Sequence, residues 1–253
     1  MDAFTPQQTM ELLSRVGQKK SKMRLDKLWW NSFLAGPLLG FGLVHFKRHA
    51  YLHKRCGLKD IAISWVMSFF GNLAGMLFFM AIIVGYGGVF SAGAYKEEAI
   101  KFAVAKAVTP HWHQIFLKAI GANWLVCLAV FMAASSREIS SKILAIWWPI
   151  MCFVGLGLDH VIANMFLVPI GIFNGAPFGV GYYIWKSMIP ALLGNTIGGG
   201  LFVGVVYWYL YMTGDEAVSP DFDKPNSLHG TESTADEMAG PNGDHKGYAE
   251  KAA

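Results

Sequence analysis

The chain has 253 residues, 54% of them apolar and 15% charged, with 28 glycines, 9 tryptophans and a formal net charge of +4. So few charges at this length exclude an ordinary soluble domain, predict an integral membrane protein of one domain, and point to no nucleic-acid partner. The 3 cysteines, Cys56, Cys127 and Cys152, are scattered without a CxxC or a pairing pattern, which argues against disulfides and thiolate metal sites.

Residues 1–27 lack an early apolar core and a small-residue cleavage site, so they do not read as a signal peptide. Thr5 to Val16 has an amphipathic helical pattern, and Lys19, Lys20, Lys22, Arg24 and Lys27 follow it. That combination predicts a cytoplasmic segment anchored on anionic lipid.

Residues 28–212 are predicted to form the transmembrane domain. Its first segment, Leu28 to Val44, is short, contains Pro37 and is marginal as a span. A basic block from His45 to Asp60 comes next, with His45, His49 and His53 on one helical face. Lys47, Arg48, Lys54 and Arg55 are interleaved among them, so a solvated cytoplasmic face is expected rather than a metal site.

Four clearer spans are predicted at about 61–84, 115–134, 143–172 and 183–212. Between them lie a mixed loop from Gly85 to Gln114, a short loop with Arg137 and Lys142, and a glycine-rich loop from Phe173 to Tyr182. With the His45 block inside, alternation places Arg137 and Lys142 inside, the Phe173 loop outside and both termini in the cytoplasm. Leu28 to Val44 conflicts with this scheme, because both its flanks are basic and one crossing would separate them. Residues 213–253 form a polar tail too poor in apolar surface to fold and are expected to be disordered.

The third span, ILAIWWPIMCFVGLGLDHVIANMFLVPIGI, is too long for one straight crossing, which takes ~20 apolar residues. Gly155, Gly157 and Asp159 break helical propensity at its centre, and Asp159 is placed to N-cap a half-helix starting at His160. Irregular backbone at that depth survives only in a protein-lined or wet cavity, which marks a permeation site.

The pattern G-N-x-x-G occurs twice, at Gly71 to Gly75 and at Gly194 to Gly198, in spans that cross in opposite directions. This suggests an inverted repeat. Glycine spacing alone would also suit simple helix packing.

GNLAG at Gly71 to Gly75, ANWLVCLAV at Ala122 to Val130, DHVIANMF at Asp159 to Phe166 and LGNTIGGGLFVG at Leu193 to Gly204 together resemble the formate–nitrite transporter family. The basic HKRCGLKD loop and polar tail are most similar to its fungal nitrite transporters. The resemblance implies an all-α, aquaporin-like inverted-repeat bundle, assembled as a homopentamer in the plasma membrane with a pore in each subunit, needing no cofactor or metal. It implies passage of a small weak-acid anion, nitrite or formate, together with a proton. It also implies that His160 is the central pore histidine and that Asp159 stands where bacterial formate channels have a glutamate. Asn72, Asn123, Asn164 and Asn195 match the asparagines of four spans, Phe153 a constriction aromatic, and Lys106 an outer-vestibule lysine that attracts anions.

One departure is large. Family members carry, between the SFLAG-like start of the first helix and the HKRCG-like loop, the rest of that helix and a broken second helix. Here SFLAGPLLGFGL runs directly into VHFKRH. An internal deletion, a splice form or an exon-skipped gene model is expected, with an incomplete first half.

Residue chemistry fits the same picture. An ionisable group at membrane depth is costly and usually functional, and desolvation favours neutral His160. A bare anion would cross an apolar constriction only at high cost, so the expected route is protonation in the vestibule or near His160 and passage as the neutral acid. Asp159 reads either as a cap or as a group orienting His160. His111 and His113 flank Trp112 as an interfacial belt. The opposing reading is a transport-inactive, truncated chain; a hydrolytic or redox enzyme is disfavoured, since no nucleophile triad, phosphate loop or ligand cluster is evident.

Overall fold

The computed structural model describes residues 3–35 and 57–213. The remainder of Leu28 to Val44 beyond Ala35, the His45, His49 and His53 face, and the tail after Thr213 lie outside the described residues. The described chain is helical. Its elements are α1 (Pro6–Ser21), α2 (Leu25–Ala35), α3 (Leu58–Tyr86), α4 (Gly93–Ala107), α5 (Trp112–Ser135), α6 (Ile139–Gly155), α7 (Val161–Phe173) and α8 (Val180–Met212).

Helix α1 begins at a capping box. The Thr5 hydroxyl accepts the Gln8 N–H at 3.2 Å, the Gln8 side chain accepts the Thr5 N–H at 3.0 Å, and Pro6 opens the first turn. The helix runs on through the basic stretch to Ser21. Its apolar face is used differently from the expected lipid anchor. Met10 and Leu13 are buried, as are Thr9 and Ser14, and the helix packs on α5 and the end of α8. The Phe4 N–H donates to the Ser135 carbonyl at 2.8 Å, and the Arg137 guanidinium lies 5.3 Å above the Phe4 ring. A stripe occupied by protein is not available to lipid, so this segment is a strut across the bundle end.

Among the described residues three helices are long and apolar enough to cross a bilayer: α3 with 29 residues, α5 with 24 and α8 with 33. Helices α6 and α7, with 17 and 13 residues, divide the third predicted span between them. The predicted loop from Gly85 to Gln114 contains α4, whose sequence GAYKEEAIKFAVAKA is made largely of strong helix formers. It is too polar and short to read as a span. Its Ala99, Ala103 and Ala107 are nevertheless fully packed, and α7 lies against it.

Two helix pairs share one packing geometry. In α3, a Cβ on Gly75 would overlap the Phe33 carbonyl of α2, and one on Gly71 would fall 2.6 Å from Ser32 Cβ and 3.3 Å from both Phe33 N and the Trp29 carbonyl. In α8, a Cβ on Gly198 would overlap the Ile120 carbonyl of α5, and one on Gly194 would overlap the Phe116 carbonyl while lying 2.7 Å from Ala119 Cβ and 3.2 Å from Ile120 N. Trp29, Ser32 and Phe33 therefore stand to α3 as Phe116, Ala119 and Ile120 stand to α8. The glycines bring the backbones together in both pairs. The intervening asparagines, Asn72 and Asn195, are each 4% exposed.

The main core gathers around α7. Val161, Met165 and Val168 pack with Met76 of α3, Ala103 and Ala107 of α4, Ile115 and Ala119 of α5, and Tyr183, Met188 and Ala191 of α8. Wide π-helical turns interrupt α3 over Phe79–Tyr86 and α8 over Ile184–Met188 and Gly198–Val205. In α8 they bracket the α-helical turns that carry Asn195, at a site where such turns often serve function.

Candidate functional site

The break between α6 and α7 runs from Leu156 to His160. The last turn of α6 tightens, with the Leu156, Gly157 and Leu158 N–H groups donating to the Cys152, Val154 and Phe153 carbonyls at 3.0, 3.0 and 3.2 Å. Gly157 has φ +61°, the left-handed conformation that lets the chain reverse out of a helix end.

His160, not Asp159, caps α7. The helix starts at Val161, one residue later than expected, and His160 Nδ1 accepts the Ile162 N–H at 3.3 Å. Its Nε2 lies 3.2 Å from Asn123 Oδ1. With Nδ1 accepting, the neutral ring carries its proton on Nε2 and donates it to Asn123. The ring is buried, and the Phe153 ring meets it edge-on at 6.2 Å between centroids.

The asparagines extend this arrangement. Asn123 Nδ2 donates to the Asn195 carbonyl at 2.6 Å. Asn195 Oδ1 accepts the Val161 N–H at 2.8 Å, while its Nδ2 donates to the Ala119 carbonyl at 2.8 Å and the Asp159 carbonyl at 3.2 Å. One carboxamide thus joins α5, α8 and the start of α7, and satisfies a helix-end N–H that lipid leaves without a partner.

The Asp159 carboxylate turns away from the cap, for an electrostatic reason. Its Oδ1 lies 3.2 Å from Lys106 Nζ and 3.3 Å from Asn164 Nδ2. Lys106, on α4 rather than in a loop, also donates to the Gly157 and Leu158 carbonyls at 2.8 and 2.9 Å. The side chain expected to face the vestibule is 13% exposed, and its three N–H groups have three acceptors in the break. A buried lone carboxylate costs far more than an uncapped helix turn, so pairing with lysine decides the Asp159 rotamer. Asp159 Oδ2 meets no donor among the described residues.

Asn164 also donates to the Ser187 hydroxyl at 3.4 Å. Ser187 is not among the residues expected from sequence; its one signal there is a hydroxyl near the start of the last apolar run. A cavity of 360 Å³ lies beside the break, bounded by α3, α4, α6 and α7, with Lys106 and Asn164 supplying its polar side chains and Phe153, Phe79 and Phe102 among its apolar walls. His160 is not part of that lining. Asn72 stands on α3 one turn before Met76, which does line it. Unlike Asn195, Asn72 has an Oδ1 that meets no donor among the described residues. His111 and His113 stack on each other at 5.7 Å at the start of α5 and are not part of this network. Among the described residues no three His, Cys, Asp or Glu side chains gather as a metal site.

The family described as Formate/nitrite transporter matches residues 44–209. The match begins at Val44, where SFLAGPLLGFGL meets VHFKRH. A protein described as a probable formate transporter of Methanothermobacter thermautotrophicus is 35% identical over 192 residues, covering 71% of this chain and 70% of that protein. An uncharacterized transporter of Saccharomyces cerevisiae is 37% identical over 256 residues, covering 83% of this chain and 41% of the yeast protein. That alignment is longer than the chain it only partly covers, so it opens gaps opposite this sequence. Among solved structures, one titled as an FNT family ion channel superposes with a TM-score of 0.71 at 24% identity, over 80% of this chain and 98% of that one. The family match over residues 44–209 and the 35% identity to a relative covered over 70% of its length establish that this multi-pass membrane chain belongs to the formate/nitrite transporter family.

Proposed function

We propose that the chain conducts a small weak-acid anion, nitrite or formate, across the plasma membrane together with a proton, with His160 at the centre of the path. The observation that carries this reading is the buried His160 ring at the break, its Nε2–H directed at Asn123 and its Nδ1 fixed by α7. A neutral imidazole held this way can exchange one hydrogen bond with a small acid without itself becoming charged in the apolar interior.

The anion enters the cavity beside Lys106 and acquires a proton there or near His160. The neutral acid then passes the Phe153 edge, avoiding the large desolvation cost of a bare anion. Asn123, Asn164 and Asn195 hold the broken backbone in shape, Asp159 balances Lys106, and Asn72 is the first-half counterpart of Asn195. By family resemblance the working unit is a homopentamer with both termini in the cytoplasm, residues 1–27 and 213–253 flanking the transmembrane domain on that side.

The test is uptake of nitrite and formate into proteoliposomes under an inward proton gradient. The purified chain is expected to exceed empty liposomes, and His160→Ala to remove most of the difference while remaining folded. Equal flux for wild type, variant and empty vesicles would sink the reading.

The second reading, a chain that inserts and folds without conducting, is favoured by the family match starting at residue 44 and by the gapped yeast alignment. A monodisperse, cooperatively unfolding protein without flux would support it.

A further inference from the structure

The elbow between α4 and α5 holds a groove apart from the break. Its volume is 570 Å³, and it is lined by Thr109 and Pro110 of the elbow and by His111, Gln114, Leu117 and Lys118 of α5. The last four fall on one side of the helix, and all four are exposed. Gln114 Oε1 accepts the His111 N–H at 2.7 Å, which leaves the Nε2 hydrogens of Gln114 to donate. Lys118 adds an ammonium, and no carboxylate lines the groove.

Lys118 stands six residues after Trp112 in a helix that is long and apolar enough to cross a bilayer by itself. That is about 9 Å along the axis. Its Cα therefore lies deeper than the elbow, while the side chain reaches back to line the same groove as Thr109 and His111. An ammonium on the outside of a membrane helix needs a counter-charge, because hydrocarbon penalises it unpaired. Along the same side of α5 the surface is apolar. Leu117 is 58% exposed, and Trp124, 44% exposed, stacks on Phe202 of α8 at 4.8 Å between centroids.

We propose that this groove binds the phosphate of a membrane phospholipid, with Lys118, Gln114 and His111 as donors and an acyl chain lying over Leu117 and Trp124. Donors at the elbow and apolar surface deeper along α5 follow the order of a headgroup and its chain. Basic pockets beside membrane helices recognise headgroups by the same chemistry. A second copy of this chain is a poorer complement. Of the carboxylates described from α4 to α7, Asp159 is buried against Lys106, Glu98 lies 3.4 Å from Lys101, and Glu138 stands at the other end of α5, which leaves Glu97 alone. The lining of the groove shares no residue with the cavity beside the break, so lipid binding does not depend on the chain conducting.

The test uses the full chain, delipidated in a maltoside detergent, with its melting temperature followed as phosphatidylglycerol is added. Diacylglycerol with the same chains and inorganic phosphate are the comparison additives, and Lys118→Met, Lys118→Arg and Lys101→Met are measured beside the wild type. Phosphatidylglycerol is expected to stabilise the wild type, and neither comparison additive to match it. Lys118→Met is expected to melt as the wild type does without lipid and to need about fivefold more lipid for half the effect, the value of one lysine near a charged membrane surface. Lys118→Arg should keep the wild-type response. So should Lys101→Met, which removes the same charge from α4.

Equal stabilisation by inorganic phosphate would make the groove a site for free anions and overturn the proposal, as would equal stabilisation by diacylglycerol. A lipid response untouched by Lys118→Met, or weakened as much by Lys101→Met, would overturn it too. A lower melting temperature of Lys118→Met without lipid would place the partner of this lysine within the chain. A smaller assembly on size exclusion, with the lipid response intact, would give the groove to a contact between copies instead.

Discussion

Lys106 and Asp159, on different helices, meet at 3.2 Å inside the break between α6 and α7, and the same ammonium holds the carbonyls of the two residues before the acid. This pair sets the shape of the segment that delivers His160, because it fixes the backbone on one side of the ring while Asn195 fixes it on the other. Lys106→Met leaves a buried carboxylate without its counter-charge and is expected to destabilise the chain by about 3–5 kcal/mol. Adding Asp159→Asn should restore much of the loss. Thermal unfolding of the single and double variants in detergent checks this, and a double variant no better than the single one would contradict it.

The Asn195 side chain makes three buried hydrogen bonds, to α5, to the break and to the start of α7. Asn195→Leu should cost more than any other single asparagine replacement at the site, since it strands one N–H and two carbonyls at about 1–3 kcal/mol each. Asn195→Asp should be no milder, because its carboxylate would face the Ala119 and Asp159 carbonyls where the amide now donates. Yield of monodisperse protein and melting temperature report both.

Gly75 and Gly198 carry corresponding close approaches, to the Phe33 and Ile120 carbonyls. Gly75→Val and Gly198→Val should each force its helix pair apart and abolish folded protein. Gly155→Ala, where an added Cβ meets nothing within 4 Å, should be neutral or slightly stabilising. Size-exclusion profiles after extraction distinguish these outcomes.

Burial of Lys20 in α1 lowers its pKa below the usual lysine value. The folded chain then releases this proton before the unfolded chain does, so stability contributed through Lys20 is smallest below the folded pKa and rises as pH climbs toward the ordinary lysine range. Limited proteolysis across the α1–α2 connection should slow as pH is raised through the alkaline region. Lys20→Met should remove that dependence, whereas Leu13→Asp should accelerate cleavage at every pH by unseating the helix.

The interrupted third span was legible because Gly155, Gly157 and Asp159 lie inside an apolar run too long for one crossing. The identity of the cap was not. Asp is ordinarily the better cap, and only the arrival of Lys106 from α4 turns its carboxylate elsewhere, leaving Nδ1 of His160 to take the N–H. That lysine comes from α4, which in sequence has neither the length nor the apolarity of a span and whose buried stripe is nothing but alanine. Packing of α1 was hidden for another reason: lipid and protein present the same kind of surface to an apolar stripe, so Met10 and Leu13 do not tell the two apart. The repeated G-N-x-x-G was visible as a pattern, but the differing fates of Asn72 and Asn195 depend on what lies across from them.

At Gly157 the constraint on the chain is torsional. A Cβ on that residue would touch nothing within 4 Å, so bulk does not exclude a side chain there; its φ of +61° does. The restriction is one of handedness. L-Alanine would be strained by about 1–2 kcal/mol, whereas its mirror image, introduced by chemical ligation, would adopt the same torsion at ease and stiffen the joint by narrowing the conformations of the unfolded chain. A synthetic chain with D-alanine at this joint would therefore keep the course of the break while making it harder to melt.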